Sequence, residues 1–268
     1  MKSKKIAIIG GGNLGTAIAE GIVGAGLVIK GNVIVTRRNL QEIEHLKAKG
    51  VRIMSNNVEA VAEADIIIIA VKPHITTSVL QEIKPALTPQ KTLISVVTGY
   101  TLQEMSNIVG NDIAIFRAMP NTAIAIQESM TCIAGAHYTE EQQKEVTTIF
   151  DVLGKSVIIE EKLMEAATVL AACGIAFALR YIRAAMQAGI QIGFSAKLAQ
   201  VIAAQTVKGA AELLLHFPDT HPEREIDKVT TPQGCTIAGL NEMEHKGMSS
   251  ALIQGMVTSY KEIANIAK

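Results

Sequence analysis

A segment near the carboxyl end of the chain, residues 229–244, carries side chains well suited to chemistry. It places threonine hydroxyls, a proline and a glycine directly before a predicted helix start. We expect Thr236 or a neighbour to cap this helix, whose first-turn amides have no partner within the helix. Such a helix start attracts anions, carboxylates included. The same pattern is also typical of a capped turn between helices that binds nothing.

A second candidate site lies near the amino end, where an apolar strand runs into glycines and then into a helical pattern. The spacing is Gly-x-Gly-x-x-Gly. Gly10 permits a tight turn, Gly12 lets a pyrophosphate approach the backbone, and Gly15 allows close helix–sheet packing. The segment therefore predicts a dinucleotide site. Its expected cofactor-binding residues are Gly10, Gly12, Asn13, Leu14 and Gly15.

The end of the second predicted strand indicates which dinucleotide binds. An NAD-binding chain usually ends this strand with Asp or Glu, whose carboxylate bonds the ribose hydroxyls. Here the strand ends in Thr36 and continues into Arg37 and Arg38. A carboxylate would repel a 2′-phosphate, whereas a hydroxyl and two guanidiniums would bind it. We expect NADPH to be preferred, with NADH possible as a second cofactor; the alternative is a solvated basic turn.

Four segments follow one another nearly from end to end of the chain: Gly-Gly-Gly-Asn-Leu-Gly (10–15), Ala-Val-Lys-Pro-His (70–74), Arg-Ala-Met-Pro-Asn-Thr (117–122) and Thr-Thr-Pro-Gln-Gly-Cys-Thr-Ile-Ala-Gly-Leu (230–240). Taken in this order, they make the chain similar to the pyrroline-5-carboxylate reductase family. The resemblance implies NADPH-dependent reduction of the C=N bond of 1-pyrroline-5-carboxylate to L-proline, the last step of proline biosynthesis. It also implies a dimer, because family members pack carboxyl-terminal helices from two subunits together.

Further cofactor contacts are expected along the same half of the chain. One asparagine aligns with a family asparagine near the adenosine phosphate, although a plain helix cap explains it equally well. Three residues follow a strand at its carboxyl end, where ligands bind in open α/β sheets. Two more are expected near the nicotinamide. In chain order these are Asn57, then Val71, Lys72 and Pro73, then Met119 and Asn121.

Reduction of an imine needs few catalytic groups from the protein, because the cofactor carries the hydride. A pyrroline imine is basic enough to arrive protonated or to take a proton from a weak acid, so no ionised side chain is obligatory. Thr231 and Thr236 offer hydroxyls, and the amides around Gly234 and Cys235 can bind a carboxylate. The resemblance makes Thr236 the catalytic candidate, which would orient or protonate the imine nitrogen.

Two other functions remain open. A different imine reductase or a β-hydroxyacid reductase could use the same scaffold, but the latter typically needs a lysine on the long helix. No lysine occurs between Lys162 and Lys197. A catalytically silent dinucleotide-binding protein could lose its substrate hydroxyls, whereas this chain retains threonines. The chain also departs from the family at residues 171–177, where the usual serines are absent, and at Gln233, where glycine is usual. These departures bear on substrate and turnover.

Composition narrows the class of partner. The chain has 268 residues, 49% of them hydrophobic, and zero net charge, so we expect neither a nucleic-acid nor a membrane partner. We expect the longest apolar run, residues 166–179, to be too short to span a bilayer. The three cysteines have neither a disulfide nor a metal spacing, which favours reduced thiols in a cytoplasmic protein without a metal site. A small-molecule substrate is expected instead.

The elements that must position these residues change character along the chain. We expect an α/β fold: a Rossmann-like doubly wound sheet in a dinucleotide-binding domain, residues 1–160, and an all-α substrate-binding and dimerisation domain, residues 161–268. The helix predicted at 163–192 is apolar around most of its circumference, which favours a homodimer or larger homo-oligomer over a monomer. Predicted strands are 6–9, 33–36, 66–71, 92–97, 113–118, 131–134 and 157–159. Predicted helices are 15–25, 41–49, 139–153, 163–192, 196–216, 236–246 and 249–267, with prolines at 218, 222 and 232 punctuating the connections.

Overall fold

The structure, a computed structural model, describes residues 1–266. It divides into two compact units: Met1–Cys173 together with the chain from Tyr260 onward, and Gly174–Ser259. The first unit is a sheet covered by helices and the second is helical, so the predicted fold class is confirmed. The units divide after Cys173, later in the chain than the boundary at 160 proposed from sequence.

An eight-stranded sheet forms the centre of the first unit, in the order β3-β2-β1-β4-β5-β6-β7-β8. Neighbouring strands are parallel except β6 and β7, which are antiparallel. The central strands are continuous apolar runs because helices cover both faces. The strands are β1 Ile6–Ile9, β2 Val33–Thr36, β3 Arg52–Met54, β4 Ile66–Ile69, β5 Thr92–Ser95, β6 Ala114–Met119, β7 Ser129–Ala136 and β8 Gly154–Ile158.

The helices of the first unit form one apolar cluster on each face of the sheet. Ile18 and Phe150 belong to one cluster, and Leu80 and Met105 belong to the other. The α-helices are α1 Asn13–Gly24, α2 His45–Ala48, α3 Asn57–Glu63, α4 Pro73–Ile83, α5 Leu102–Val109, α6 Glu140–Asp151 and α7 Met164–Ala167. Short 3₁₀ turns cover Leu40–Ile43, Lys84–Ala86, Thr122–Ile126 and Glu161–Leu163, and a π-helix covers Thr168–Cys173.

The second unit consists of helices, and the first two of them approach closely. A Cβ added at Gly189 would lie 3.0 Å from the Cβ of Ala199, so glycine lets the two backbones meet. From Tyr260 onward the last helix belongs to the first unit. The helices are α8 Gly174–Gln191, α9 Ala196–His216, α10 Pro222–Val229, α11 Cys235–His245 and α12 Met248–Ile266.

Several elements differ from the sequence prediction. The strand β3 was not predicted, and the helix predicted at 41–49 is a 3₁₀ turn followed by the short α2. Pro222, expected to lie in a connection, instead occupies the first turn of α10, a position that suits its fixed φ and missing N–H. The edge strand predicted at 157–159 is confirmed as β8.

Helix length overturns one argument made from sequence. The helical run Glu161–Gln191 has 31 residues, and α9 has 21; both are long and apolar enough to cross a membrane by length and composition. The expectation that the apolar run is too short is therefore wrong, because the helix continues past Leu179 through Arg180 and Arg183. Core helices of soluble proteins pass the same test, so it carries no further conclusion.

Candidate functional site

Two glycines shape the loop between β1 and α1. Gly10 has a φ of +112°, a conformation that residues with a side chain rarely adopt, and a Cβ there would lie 2.5 Å from the carbonyl oxygen of Ala70. A Cβ at Gly15 would collide with the carbonyl oxygen of Gly10. Both glycines are therefore required by the fold of the loop itself, as the sequence pattern predicts.

Gly12 differs from its neighbours because nothing lies within 4 Å of the position that its Cβ would occupy. It is the N-cap of α1, and no side chain caps the helix. The amides that begin this helix, those of Asn13, Leu14 and Gly15, have no partner within the helix. An exposed helix start of this kind, approached over a glycine, fits a dinucleotide pyrophosphate.

The end of β2 is held by hydrogen bonds on both sides. The Gly11 N–H donates to the Thr36 carbonyl oxygen at 2.8 Å, which fixes the glycine loop on the strand. The Thr36 hydroxyl is buried and donates to Asn57 Oδ1 at 2.6 Å. Asn56, not Asn57, caps α3 by accepting from Glu59 N–H. Asn57 is therefore not the helix cap: it links α3 to the end of β2.

The two arginines after β2 have different surroundings. Arg37 donates to the Gly11 carbonyl oxygen and forms an ion pair with Glu42. Arg38 is exposed, and no hydrogen bond or ion pair to it occurs within residues 1–266. Arg38 is thus the guanidinium available to an anion, whereas Arg37 also braces the glycine loop.

Val71, Lys72 and Pro73 lie where β4 passes into α4, beside the glycine loop. A Cβ at Gly10 would lie 3.0 Å from Val71 Cγ1, so Val71 closes one side of the turn. Lys72 is the exposed N-cap of α4, and Pro73 occupies the first turn of that helix. The carboxyl ends of β1 and β4 thus meet at one edge of the sheet, as expected for a ligand-binding edge.

Farther along the same edge, β6 ends at Met119. The Thr98 hydroxyl, which follows β5, lies 3.9 Å from Met119 Sδ. On the other side Cys132 of β7 is paired in register with Met119, and burial raises the pKa of the Cys132 thiol. This thiol is therefore neutral at physiological pH, and the surroundings of Met119 are apolar or weakly polar, which suits a nicotinamide ring.

The side chain and the backbone N–H of Asn121 make three hydrogen bonds to protein groups. Its backbone N–H donates to Ser129 Oγ at 3.0 Å, and its Oδ1 accepts from Ala123 N–H at 3.0 Å. Its Nδ2 donates to the carbonyl oxygen of Ala171 at 3.3 Å. The side chain thus joins the loop after β6 to the π-helical segment.

Sequence reasoning passed over Arg117, two residues before Met119 on the same strand. Its side chain is 3% exposed, and it forms ion pairs with Glu161 at 2.9 Å and Glu165 at 3.7 Å. A signal was present: an arginine inside a buried apolar strand needs acidic partners. The two glutamates stand four residues apart, the spacing that puts both on one helix face.

The carboxyl-terminal segment forms a tight bend before α11. The Gly234 N–H donates to the Thr231 carbonyl oxygen at 2.9 Å, and Gln233 has a φ of 61°. Gly234 is the N-cap of α11, and no side chain caps the helix. Thr236 itself does not cap the helix, because the helix starts at Cys235 and Thr236 lies inside its first turn; the N-cap position falls to its neighbour Gly234. The first-turn amides are nevertheless free of intrahelical partners.

These features define a class of protein: an oxidoreductase that binds a nicotinamide dinucleotide on a mostly parallel α/β sheet. Two family models match the chain. One, described as NADP oxidoreductase coenzyme F420-dependent, matches residues 5–99, and the other, pyrroline-5-carboxylate reductase dimerisation, matches residues 161–266.

Relatives extend this match along the whole chain. The chain is 47% identical to pyrroline-5-carboxylate reductase 2 of Dictyostelium discoideum, over 96% of this chain and 91% of that protein. It is 46% identical to reductase 1 of that organism over 97% of this chain, but spans only 49% of that relative's length. The Plasmodium falciparum pyrroline carboxylate reductase, solved with NADP bound, superposes with a TM-score of 0.89 at 29% identity, covering 100% of both chains. The chain belongs to the pyrroline-5-carboxylate reductase family.

Proposed function

We propose that this protein reduces the C=N bond of 1-pyrroline-5-carboxylate with NADPH, giving L-proline. The observation that carries the proposal is the match to reductases of this name along nearly the full length of the chain. The same chain has a glycine loop at the carboxyl ends of parallel strands, which fits a dinucleotide. The family assignment favours this function over a β-hydroxyacid reductase or a silent dinucleotide-binding protein.

When bound, NADPH supplies the hydride and its electron pair. The residues described above fit it. Gly12 leaves room for the pyrophosphate, and the free amides at the start of α1 bind its oxygens. Arg38 binds the 2′-phosphate, while Arg37 keeps the glycine loop in shape and adds positive charge.

The bend before α11 holds the carboxylate of the substrate. Glycine at 234 keeps the bend tight, since a Cβ there would lie 3.0 Å from the Thr231 carbonyl oxygen and would push aside the Thr231 hydroxyl, 2.5 Å away. Its own amide is already bonded to Thr231, so the donors that remain are the first-turn amides from Cys235 and the threonine hydroxyls. A carboxylate at this position also gains from the helix dipole.

Thr236 orients the imine nitrogen. The substrate nitrogen is basic enough to be protonated in water, so the protein needs only a hydroxyl to fix its direction and no ionised acid. Thr236→Ala should lower kcat/KM by about tenfold, the value of a hydrogen bond of about 1.4 kcal/mol. Thr206→Ala, which removes an exposed threonine of α9 that bonds only its own helix, is the matched control. An unchanged kcat/KM in Thr236→Ala would remove Thr236 from the mechanism.

The chain acts as a homo-oligomer, and we propose a homodimer in the cytoplasm. The dimerisation model spans residues 161–266, and the helices of this region expose large apolar side chains in the single chain. Cys132, Cys173 and Cys235 are free thiols, which supports a reducing compartment. We propose a small-molecule substrate as the only further partner, without nucleic acid or membrane.

The proposal is tested by following NADPH oxidation in the presence of pyrroline-5-carboxylate, then repeating with NADH. We expect turnover with both and a higher kcat/KM with NADPH. Tight NADPH binding without turnover would favour the silent protein. Oxidation of a β-hydroxyacid with NADP⁺, in the absence of imine reduction, would favour the other reductase.

A further inference from the structure

Arg117 is a buried charge that the proposed reaction does not use. Its side chain lies on β6 and is 3% exposed, and its Nε has no hydrogen-bond partner within the described residues. Burying a guanidinium costs free energy unless it is paired, and an orphaned buried donor adds to that cost. An arrangement that bears this cost calls for a functional explanation.

The partners of Arg117 come from the start of the long helical run. Glu161 lies in the 3₁₀ turn after β8, and Glu165 lies one turn later in α7. Glu161 Oε1 also accepts from the Leu102 N–H at 2.7 Å, at the start of α5. The guanidinium therefore ties three elements together: the strand β6, the start of α5 and the start of the long helix.

The long helix then widens into the π segment, Thr168–Cys173, before continuing as α8. Such segments are rare, occur mostly as single turns inside α-helices and concentrate at functional sites. Met164, fully buried just before the segment, and Ala172 within it pack against the apolar cluster that contains Met119. The π segment therefore lies beside the sheet edge where β6 ends.

Asn121 holds this segment directly. Its Nδ2 donates to the Ala171 carbonyl oxygen, and its other hydrogen bonds fix it to β7 and to the turn after β6. Arg117 thus anchors the helix before the π segment, and Asn121 anchors it within the segment. Arg117 lies on β6, two residues before Met119, and Asn121 lies in the loop after β6, two residues beyond Met119.

We propose that Arg117 and Asn121 are positioning residues that hold the π segment, Thr168–Cys173, against the end of β6 at Met119. The π segment then forms a rigid wall beside the hydride-transfer site. This role rests on the proposed function. Neither residue needs to touch the substrate. Each acts through the helix backbone, and loosening that wall should impair the alignment of the reacting atoms more than it impairs cofactor binding.

The Asn121→Ser variant removes one of the two hydrogen bonds of the Asn121 side-chain amide, the bond to Ala171, and keeps the other, the bond from Ala123. Serine is a good helix N-cap and can still accept from Ala123 N–H, but it cannot reach Ala171. Asn121→Asp keeps the size and removes the donor. Asn107→Asp, which makes the same change on the exposed face of α5, is the control for added charge. Arg117→Lys keeps the positive charge but loses the two NH groups with which the guanidinium reaches two glutamates. Its control is Arg52→Lys, which makes the same change in the Arg52–Glu63 pair, where the guanidinium also donates two hydrogen bonds.

Hydrogen–deuterium exchange of the protein without cofactor is the first measurement. We expect the amides of residues 168–173 to exchange about tenfold faster or more in the Asn121 and Arg117 variants, while β1 and β4 stay protected. The two control variants should match the wild type. Unchanged exchange in the π segment of both Asn121 variants would overturn the proposal.

The second measurement is turnover of pyrroline-5-carboxylate with NADPH or with NADPH deuterated at the transferred position. We expect kcat to fall about 10- to 100-fold in Asn121→Ser and in Arg117→Lys, with a larger isotope effect in both, and we expect the NADPH Kd of Arg117→Lys to stay within about twofold of the wild type. A kcat equal to that of the controls, or a loss that only follows the folded fraction, would overturn the positioning role. A wild-type protein without turnover would overturn the proposed function and the role in turnover, while exchange would still decide whether these residues hold the segment.

Discussion

At the scale of single residues, the glycine loop separates positions required by the fold from a position required by the ligand. Gly15 has no room for a Cβ, because the Gly10 carbonyl oxygen occupies that space, whereas Gly12 faces open space and has an ordinary φ of −85°. An added methyl group should therefore weaken NADPH binding at position 12 and lower the stability of the fold at position 15.

We expect Gly12→Ala to fold with a stability within about 1 kcal/mol of the wild type, since alanine is a poorer N-cap than glycine, and to bind NADPH at least tenfold more weakly. Gly15→Ala should lose about 1–3 kcal/mol of stability from overpacking. Denaturant unfolding and NADPH titration measure the two effects. Unchanged NADPH affinity in Gly12→Ala would show that the pyrophosphate does not approach this glycine.

The two arginines after β2 should also separate. Arg38 is free of protein partners among the described residues, so Arg38→Ala should weaken NADPH binding about tenfold or more and leave NADH unaffected. Arg37 also bonds the Gly11 carbonyl oxygen, so Arg37→Ala should weaken both cofactors. Equal losses of NADPH and NADH in Arg38→Ala, measured by titration, would contradict the assignment of the 2′-phosphate to this residue.

The sequence located much of this site because glycines and strand ends carry local signals. Gly10 and Gly15 are dictated by loop geometry, and the Thr36-Arg37-Arg38 run follows directly from the end of β2. Which arginine is free could not be predicted, since it depends on Glu42 reaching back to Arg37. Arg117 was given no role, although a charged side chain inside an apolar strand indicates an ion pair with acidic partners.

At the scale of elements, apolar runs predicted most strands closely. The bounds of β1 and β2 agree with prediction because each is a short, fully buried run. The strand β3 was not predicted because it has only 3 residues, begins with Arg52 and is only partly buried, since it is the outermost strand on its side of the sheet. Its pairing comes from its neighbour β2 and not from its own composition.

The π segment also has no local signature. Residues 163–192 carry the composition of an ordinary apolar helix, and nothing in their spacing indicates a widened turn. The hydrogen bond from Asn121 to Ala171 and the ion pairs of Arg117 are tertiary contacts that a sequence pattern does not contain. A departure from regular helix at such a place is therefore found only in the structure.

At the scale of the whole molecule, the helices α8 and α9 leave large apolar side chains exposed on a single chain. Leu179 is 56% exposed and Val201 is 61% exposed. Covering such faces in the proposed dimer removes apolar area from water, with about 1.5–3 kcal/mol for each large side chain fully buried. Assembly is thus expected to contribute to the stability of the second unit.

Val201→Asp should weaken the dimer by about 100-fold or more, because a two-fold assembly carries the substitution twice. The measurement is sedimentation velocity over a range of protein concentrations. Ile29→Asp, at an apolar residue of the first unit that is 58% exposed, is the matched control and should leave assembly unchanged. A Val201→Asp protein that sediments like the wild type would place the interface elsewhere.

In the proposed reaction a hydride moves from NADPH to the imine carbon of a pyrroline carboxylate on this protein. The most direct measurement uses NADPH deuterated at C4 of the nicotinamide, with mass spectrometry of the amino-acid product. We predict proline that carries one deuterium at C5, the former imine carbon. Proline without deuterium from either C4-labelled epimer, or no proline at all while NADPH binds, would contradict the account.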